Sequence, residues 1–123
     1  MDSTLRILAV DNEPSITLSL RYVFAGPHYE LTCVDSGHAA LATIEANPAP
    51  YGVIIVDQKM PNLTGLELVG AMKERGIKSK IIVLSAPLST EVREAYAGLN
   101  VDVLFGKPFD VAQLRSAVDR LAA

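Results

Sequence analysis

The sequence contains a single cysteine, no tryptophan and no long apolar segment. One cysteine excludes an internal disulfide, and the place of Cys33 in an alternating apolar stretch favours a small core side chain over a nucleophile. No apolar run approaches the roughly 20 residues that a membrane span requires. The first residues, Met1 to Thr4, lack the basic start and apolar core of a secretory signal. We therefore expect a cytoplasmic location without membrane contact.

An excess of positive charge is also absent, because 11 Lys and Arg residues stand against 14 Asp and Glu residues, a formal net charge of −3. A nucleic-acid-binding surface needs clustered Lys and Arg, so we expect no nucleic-acid partner for this chain. Half of the residues are apolar and a fifth are charged, which is typical of a globular domain with a sizeable core. The length predicts a single domain over residues 1–123.

An unbroken apolar run, Val53 to Val56, ends abruptly in the carboxylate of Asp57. A run of this kind predicts a strand that is buried on both faces, as in a parallel sheet. Ligands of open α/β sheets bind beyond the carboxyl ends of such strands, so Asp57 is a candidate site residue. An aspartate at this place can also simply open a turn or cap the next helix.

Apolar strand-like segments alternate with amphipathic helical segments along the whole chain. The predicted strands are Leu5–Val10, Glu30–Val34, Tyr51–Asp57, Lys80–Leu84 and Val101–Phe105. Helices are predicted to begin near Pro14, Ser36, Thr64, Thr90 and Val111, and the first three to end at Gly26–Pro27, Asn47–Pro48 and Gly76. This alternation predicts an α/β fold with a parallel sheet and helices on both of its faces.

Polar side chains follow four of the five predicted strands. The carboxyl ends of parallel strands lie at one edge of a sheet, so these side chains are expected to converge. They are Asp11, Asn12 and Glu13 after the first strand, Asp57 after the third, Ser85 after the fourth and Lys107 after the fifth. Carboxylates, a hydroxyl group and an ammonium group that meet at one edge predict a functional site.

The motifs at these strand ends resemble the receiver domain of two-component response regulators over the whole chain. The matching segments are Ile7–Pro14, Asp57 with Met60–Pro61, Gly65–Leu68, Val83–Ala86 and Lys107–Phe109. The resemblance implies a flavodoxin-like three-layer sandwich, in which five helices flank a five-stranded parallel sheet of order 2-1-3-4-5. It also implies a cis peptide bond between Lys107 and Pro108.

The resemblance implies a signalling switch rather than a classical enzyme, with self-phosphorylation and self-dephosphorylation as its only reactions. Asp57 would accept a phosphoryl group from a sensor histidine kinase or a phosphotransfer protein, and the domain would relay the signal by a conformational change. A carboxylate attacks an anionic phosphoryl group only with cations nearby, so Lys107 and Ser85 would contact phosphoryl oxygens. Mg²⁺ would be the cofactor, held by Asp11, Asn12, Asp57 and the backbone carbonyl of Lys59.

The resemblance also implies a protein-binding face formed by the fourth helix, the fifth strand and the fifth helix. An effector domain, a separate partner protein or a second copy of the chain would bind there. Tyr96 and Phe105 lie toward this face in sequence, and each is expected either to be exposed on it or to be buried in the core.

The sequence departs from the family pattern in three places that concern the switch. Asn12 replaces the second acid after the first strand, so we expect weaker Mg²⁺ binding than at a two-acid site. Lys59 either reaches over the phosphorylation site or is solvated and contributes only its backbone. Leu104 occupies the position that usually holds Tyr or Phe, and Pro87 stiffens the loop that ordinarily moves, so we expect the usual coupling of the phosphoryl group to an aromatic side chain to be blunted.

Three alternative functions are weighed against the phosphorylated switch. A degenerate receiver that binds a partner without phosphorylation is favoured by Asn12 and Leu104. A haloacid-dehalogenase-like phosphatase would carry a second acid two residues after the nucleophile, where this chain has Lys59. A flavin-binding electron carrier would need a loop rich in hydroxyl groups and glycine after the first strand, and that loop is acidic here.

Overall fold

A computed structural model of the protein describes residues 4–47 and 49–123. Five strands alternate with five helices, as the sequence predicts. The strands are β1 (Leu5–Val10), β2 (Tyr29–Val34), β3 (Val53–Asp57), β4 (Lys80–Ser85) and β5 (Val103–Gly106). The helices are α1 (Pro14–Val23), α2 (Gly37–Ala46), α3 (Gly65–Glu74), α4 (Thr90–Gly98) and α5 (Val111–Ala122). Two sequence predictions concern residues that the structure does not describe. Residues 1–3 belong to the segment that was compared with a secretory signal, and Pro48 belongs to the predicted end of the second helix.

All five strands are parallel and lie in the order β2-β1-β3-β4-β5, which confirms the predicted sheet. Val10 of β1 pairs with Val56 of β3, and Ser85 of β4 pairs with Gly106 of β5. The last residues of these four strands therefore lie in nearly adjacent rows of one sheet edge. Of the described helices, none is long and apolar enough to cross a membrane.

The hydrophobic core consists of two layers, one on each face of the sheet. Alternate residues of the central strands enter opposite layers, since Leu8 and Ile54 belong to one cluster and Ile7 and Ile55 to the other. These four side chains are almost fully buried, which explains why the central strands are apolar without interruption. Cys33 is half-buried against the second cluster, as predicted for a small core residue.

Helix starts follow the predicted capping pattern. The Ser36 hydroxyl accepts a hydrogen bond from the Ala39 backbone at 3.0 Å. Thr64 and Glu67 form a reciprocal capping box at the start of α3. Glycine ends two of the helices, with φ of +109° at Gly26 and +72° at Gly76, a backbone region that side chains rarely adopt.

Two strands are shorter at their starts than the sequence predicts. β5 begins at Val103 rather than Val101, because the Val101 backbone N–H bonds back to Tyr96 of the preceding helix. The Asp102 carboxylate accepts a hydrogen bond from the Ile81 backbone at 2.8 Å, which fixes that turn. β3 begins at Val53 rather than Tyr51, whose carbonyl accepts the hydroxyl of Ser79 at 2.6 Å instead of a ladder bond. The apolar composition of a segment does not reveal these hydrogen bonds, so the strand starts could not be predicted from it.

Candidate functional site

Two buried carboxylates lie at the carboxyl edge of the sheet. Asp57 is the last residue of β3 and is 1% exposed, and Asp11 directly follows β1 and is 2% exposed. The Glu13 backbone donates a hydrogen bond to Asp11 Oδ1 at 2.9 Å, which orients that carboxyl group. Buried carboxylates need partners to offset the loss of water, so their surroundings define the site.

Lys107 supplies the positive charge of this cluster. Its Nζ atom donates a hydrogen bond to Asp57 Oδ1 at 2.9 Å and lies 3.7 Å from Asp11 Oδ2 and 3.6 Å from Glu13 Oε1. The peptide bond between Lys107 and Pro108 is cis, as predicted. Side chains that are far apart in sequence thus converge as the strand-end pattern predicts.

The ammonium group of Lys107 is stabilised by its acidic neighbours. Burial by itself would lower the pKa of Lys107. The hydrogen bond that Lys107 donates to Asp57 and the negative charges of Asp11, Asp57 and Glu13 outweigh this effect, so the pKa of Lys107 lies above its ordinary value. Lys107 is therefore positively charged at any physiological pH.

The site retains unsatisfied carboxylate oxygens that suit a hard cation. Asp11 Oδ2 and Asp57 Oδ2 are buried, and within the described residues neither receives a hydrogen bond. One oxygen from each of Asp11, Glu13 and Asp57 lies within 4.8 Å of the others. Mg²⁺ prefers carboxylate oxygens and keeps several waters, so this donor set fits Mg²⁺. Lys107 alone does not neutralise three carboxylates.

Burial raises the pKa of Asp11 from 3.8 to about 6. Desolvation is the main cause, and the negative charge of Asp57 adds to it. The hydrogen bond from the Glu13 backbone and the charge of Lys107 oppose the rise without cancelling it. The acidic cluster without a cation therefore favours a proton on Asp11 in mildly acidic solution.

This raised pKa predicts the pH dependence of stability in the metal-free protein. The folded state binds the Asp11 proton more tightly than the unfolded state, so the contribution of Asp11 to stability is largest below pH 3.8 and is lost as the pH rises through about 6. Asp11→Asn is expected to be more stable than the wild type at pH 7.5, by about 1–3 kcal/mol in EDTA, and this advantage should shrink toward pH 4. Urea unfolding at several pH values measures it.

The control for this prediction is Asp35→Asn, which removes the same charge from an exposed aspartate. That variant is expected to show no comparable pH trend. A wild type that is more stable than Asp11→Asn at every pH would contradict the prediction.

Three predicted site residues make no side-chain hydrogen bond or ion pair with these carboxylates in the part of the chain that the structure describes: Ser85, Asn12 and Lys59. Ser85 is buried at the end of β4, and its carbonyl accepts the Lys107 backbone N–H at 2.8 Å. Asn12 and Lys59 are exposed; Asn12 directly follows buried Asp11, and Lys59 lies two residues after buried Asp57. The ligand and phosphoryl-contact roles of these three residues stay predictions.

Glu13 is the one member of the acidic cluster that the predicted ligand set omits. Its carboxylate is exposed but lies 3.6 Å from Lys107 Nζ and belongs to the group of oxygens that suits a cation. The sequence signal was present, since Glu13 follows the first strand together with Asp11 and Asn12. The family pattern directed attention to the two residues directly after the strand instead.

At Gly65, the backbone at the start of α3 passes very close to the backbone of Asp57 and Gln58. A Cβ atom at this position would lie 2.7 Å from the Asp57 carbonyl oxygen and 2.8 Å from Gln58 Cα. Its backbone N–H donates to the Gln58 carbonyl at 3.0 Å, which fastens the start of α3 to the loop after Asp57. The lack of a side chain at Gly65 permits this close approach.

Comparison with known families identifies the class of protein that this fold and site define. The response regulator receiver domain family matches residues 7–119. The chain therefore belongs to the response regulator receiver domain family. Members of this family are signalling switches rather than classical enzymes.

Individual relatives agree with this assignment. The chain is 30% identical over 122 residues to the transcriptional regulatory protein KdpE of Mycobacterium tuberculosis, an alignment that covers 95% of this chain and 52% of that protein. The chain spans about half the length of the first curated relatives that it matches.

Solved structures share the fold over nearly the whole chain. The receiver domain of the Francisella response regulator 1452 superposes with a TM-score of 0.87 at 28% identity, covering 97% of each chain. The response regulator TrrA of Thermotoga maritima, solved in complex with Mg²⁺ and BeF, gives a TM-score of 0.81 at 30% identity and covers 96% of this chain and 99% of that one. The predicted flavodoxin-like receiver fold is confirmed.

Proposed function

We propose that the chain is a phosphoryl-accepting switch in which Asp57 takes a phosphoryl group from a phosphohistidine. The donor would be a sensor histidine kinase or a phosphotransfer protein. The observation that carries this proposal is the contact of Lys107 Nζ with Asp57 Oδ1. Beside it lie one buried oxygen of Asp11 and one of Asp57 that have no hydrogen-bond partner among the described residues. An anionic nucleophile that is already held beside a fixed cation suits the transfer of a phosphoryl group.

The transfer step is a displacement at phosphorus. A carboxylate oxygen of Asp57 forms a bond to phosphorus while the phosphorus–nitrogen bond of the donor breaks, and the imidazole, already protonated on its other ring nitrogen, leaves as a neutral group with the bonding electrons. The product is an acyl phosphate on Asp57. Lys107 neutralises charge on a phosphoryl oxygen, and its present hydrogen bond to Asp57 holds it within reach. Ser85, at the neighbouring strand end, donates a hydrogen bond to another phosphoryl oxygen.

The oxygen ligands for Mg²⁺ come from the same cluster. Asp11 and Asp57 would supply carboxylates, and Glu13 would add a third at the exposed rim. The Lys59 carbonyl and the Asn12 side chain would supply neutral oxygens. The bound ion supplies charge neutralisation for the transferred phosphoryl group. The relative TrrA was solved with Mg²⁺ and BeF, which supports this assignment.

The phosphorylated domain would transmit its state to a partner. The relatives with about twice the length of this chain suggest an effector domain as one such partner. The face formed by α4, β5 and α5 is the proposed contact surface for an effector, a separate protein or a second copy of the chain. The proposed location is the cytoplasm, and the proposed unit is a single domain over residues 1–123.

A small-molecule phosphodonor tests this proposal directly. The protein is incubated with acetyl phosphate and Mg²⁺, and its intact mass is measured. We expect one phosphoryl adduct that needs Mg²⁺, is absent in EDTA and is absent in Asp57→Asn. An adduct that persists in Asp57→Asn would place the acceptor elsewhere, and no adduct on the wild type would overturn the proposal.

Asn12 is expected to weaken Mg²⁺ binding because it offers an oxygen without a charge. Asn12→Asp adds a carboxylate beside Asp11, and we expect Mg²⁺ to bind about tenfold more tightly, equal to about 1.4 kcal/mol. Magnesium titration of the metal-free protein measures the change. Gln113→Glu adds the same charge on the exposed side of α5 and should leave the affinity nearly unchanged. Equal affinities of wild type and Asn12→Asp would remove this idea.

A degenerate receiver that works without phosphorylation is the second candidate function. It is favoured by the uncharged Asn12 in an exposed position and by Leu104, which has neither a ring nor a hydroxyl group. Its signature would be the absence of an adduct together with a folded domain that still binds its partner.

A further inference from the structure

Tyr96 connects helix α4 to the loop that directly follows the phosphoacceptor. Its side chain is fully buried in the core layer that also contains Leu8 and Ile54. The Tyr96 hydroxyl donates a hydrogen bond to Oε1 of Gln58, the residue after Asp57. Tyr96 is also the only residue of α4 that is buried, so this contact is the main polar anchor of the helix to the site within the described residues.

Gln58 is fixed by its backbone on two further sides. Its N–H donates to the Leu84 carbonyl of β4 at 3.0 Å, and its carbonyl accepts from the Gly65 N–H at 3.0 Å. The side-chain bond to Tyr96 therefore adds a fourth element, α4, to a loop that already joins β3, β4 and α3. Any rearrangement of this loop at Asp57 must either move Tyr96 or break the hydrogen bond.

The space for this contact is made by the missing side chain of Gly65. A Cβ atom there would lie 3.0 Å from the Tyr96 hydroxyl oxygen, as well as against the backbone after Asp57. Burial and the negative charge of Asp57 raise the pKa of the Tyr96 hydroxyl, so it remains a proton donor in neutral solution. The charge of Asp57 thus affects the Tyr96 hydroxyl directly, in addition to the link through Gln58.

Because Leu104 has no hydroxyl group, the hydrogen bond between Tyr96 and Gln58 has no counterpart from β5 at this position. Leu104 lies on β5 in the same core layer as Tyr96, whereas Phe105 belongs to the opposite layer. Neither Leu104 nor Phe105 can offer a hydroxyl group to the site. Tyr96 brings both a ring and a hydroxyl group to this side of the sheet from a helix instead of from a strand.

We propose that Tyr96 is a positioning residue that couples the state of Asp57 to the position of helix α4 through Gln58. This inference rests on the proposed function. When Asp57 carries a phosphoryl group and the loop over residues 57–59 adjusts around it, the Gln58 side chain shifts and carries Tyr96 and α4 with it. Helix α4, one element of the proposed partner face, therefore reports the state of the site through one partly buried hydrogen bond.

Amide NMR spectra of the full chain, with and without Mg²⁺ and beryllofluoride as a phosphoryl mimic, test this coupling. In the wild type we expect loading to shift amides near Asp57 and amides throughout Thr90–Gly98. In Tyr96→Phe the site amides should shift as before, while the average change over α4 falls about five-fold or more, the lower end of typical coupling between two sites. A purely structural role would instead alter α4 equally with and without loading.

Three further variants complete the test, and one of them, Gln58→Met, does not depend on how well Tyr96→Phe folds. Gln58→Met removes the acceptor with a side chain of similar length and should reduce the α4 response to the same degree. The double variant should lose no more than either single variant, because both remove one interaction. Tyr22→Phe, at a tyrosine that is 87% exposed on α1, should respond like the wild type.

The outcomes separate this inference from the proposed function. Loading without any α4 response in the wild type, or an equal α4 response in wild type, Tyr96→Phe and Gln58→Met, overturns the coupling and leaves phosphorylation intact. Failure of the wild type to load, with unchanged amides at Asp11 and Asp57, overturns the proposed function and this inference with it.

Discussion

Lys107→Met is expected to slow formation of the acyl phosphate about 100-fold or more while Mg²⁺ binds more tightly than to the wild type. The two effects have opposite signs because Lys107 has two roles. Its Nζ atom lies 2.9 Å from Asp57 Oδ1 and so neutralises charge where the phosphoryl group arrives. It also lies 3.7 Å from Asp11 Oδ2 and competes with a metal ion for the same carboxylates.

The rate is measured from intact mass over time with acetyl phosphate, and the affinity by magnesium titration at low ionic strength. Lys80→Met is the matched control, since it removes one positive charge at the exposed start of β4, the opposite edge of the sheet. Both values for Lys80→Met should stay close to those of the wild type. If Lys107→Met lost Mg²⁺ affinity and phosphoryl uptake together, the role of Lys107 would be to maintain the structure of the site rather than to neutralise charge.

Gly65→Ala is expected to lower the free energy of unfolding by about 2–4 kcal/mol, more than a typical overpacked core position. The added Cβ atom would lie less than 3.0 Å from two backbone atoms, the Asp57 carbonyl oxygen and Gln58 Cα. Backbone atoms in a loop fixed by β4 and α3 cannot yield as a flexible side chain can. The start of α3 must move away from the site, which also weakens phosphoryl uptake.

Gly70→Ala in the same helix provides the comparison. A Cβ atom at Gly70 meets nothing within 4 Å, so alanine should stabilise the helix by about 0.5–1 kcal/mol through its better helix propensity. Urea unfolding of both variants gives the two free energies. Similar effects of the two substitutions would show that the close approach at Gly65 is relieved without cost.

The convergence of Asp11, Asp57 and Lys107 could be predicted because it follows from topology. Each strand ends where its apolar run stops, and parallel strands bring those ends to one edge. The strand order and the cis bond at Lys107 came from family resemblance, since neither leaves a periodic signal. The salt bridge from Lys107 to Glu13 depends on side-chain reach, which residue spacing does not encode.

Tyr96 shows why the rest of the site could not be read from the sequence. Its partner Gln58 is 38 positions away, and a single hydrogen bond between a helix and a loop produces no pattern in either segment. Helix α4 is mostly exposed and buries only this residue, so the sequence left both exposure and burial open. The structure resolves the question in favour of burial, and Phe105 is likewise packed against a core layer.

The turn from Gly76 to Ser79, at the amino end of β4, is well suited to carry a foreign reporter. Gly76 already adopts a left-handed backbone conformation there, and Lys78 is exposed. The six residues of β4 separate this turn from Ser85 by about 20 Å. A fluorescent protein grafted after Lys78 would leave the carboxylates untouched and would label the domain at a point that is physically remote from its chemistry.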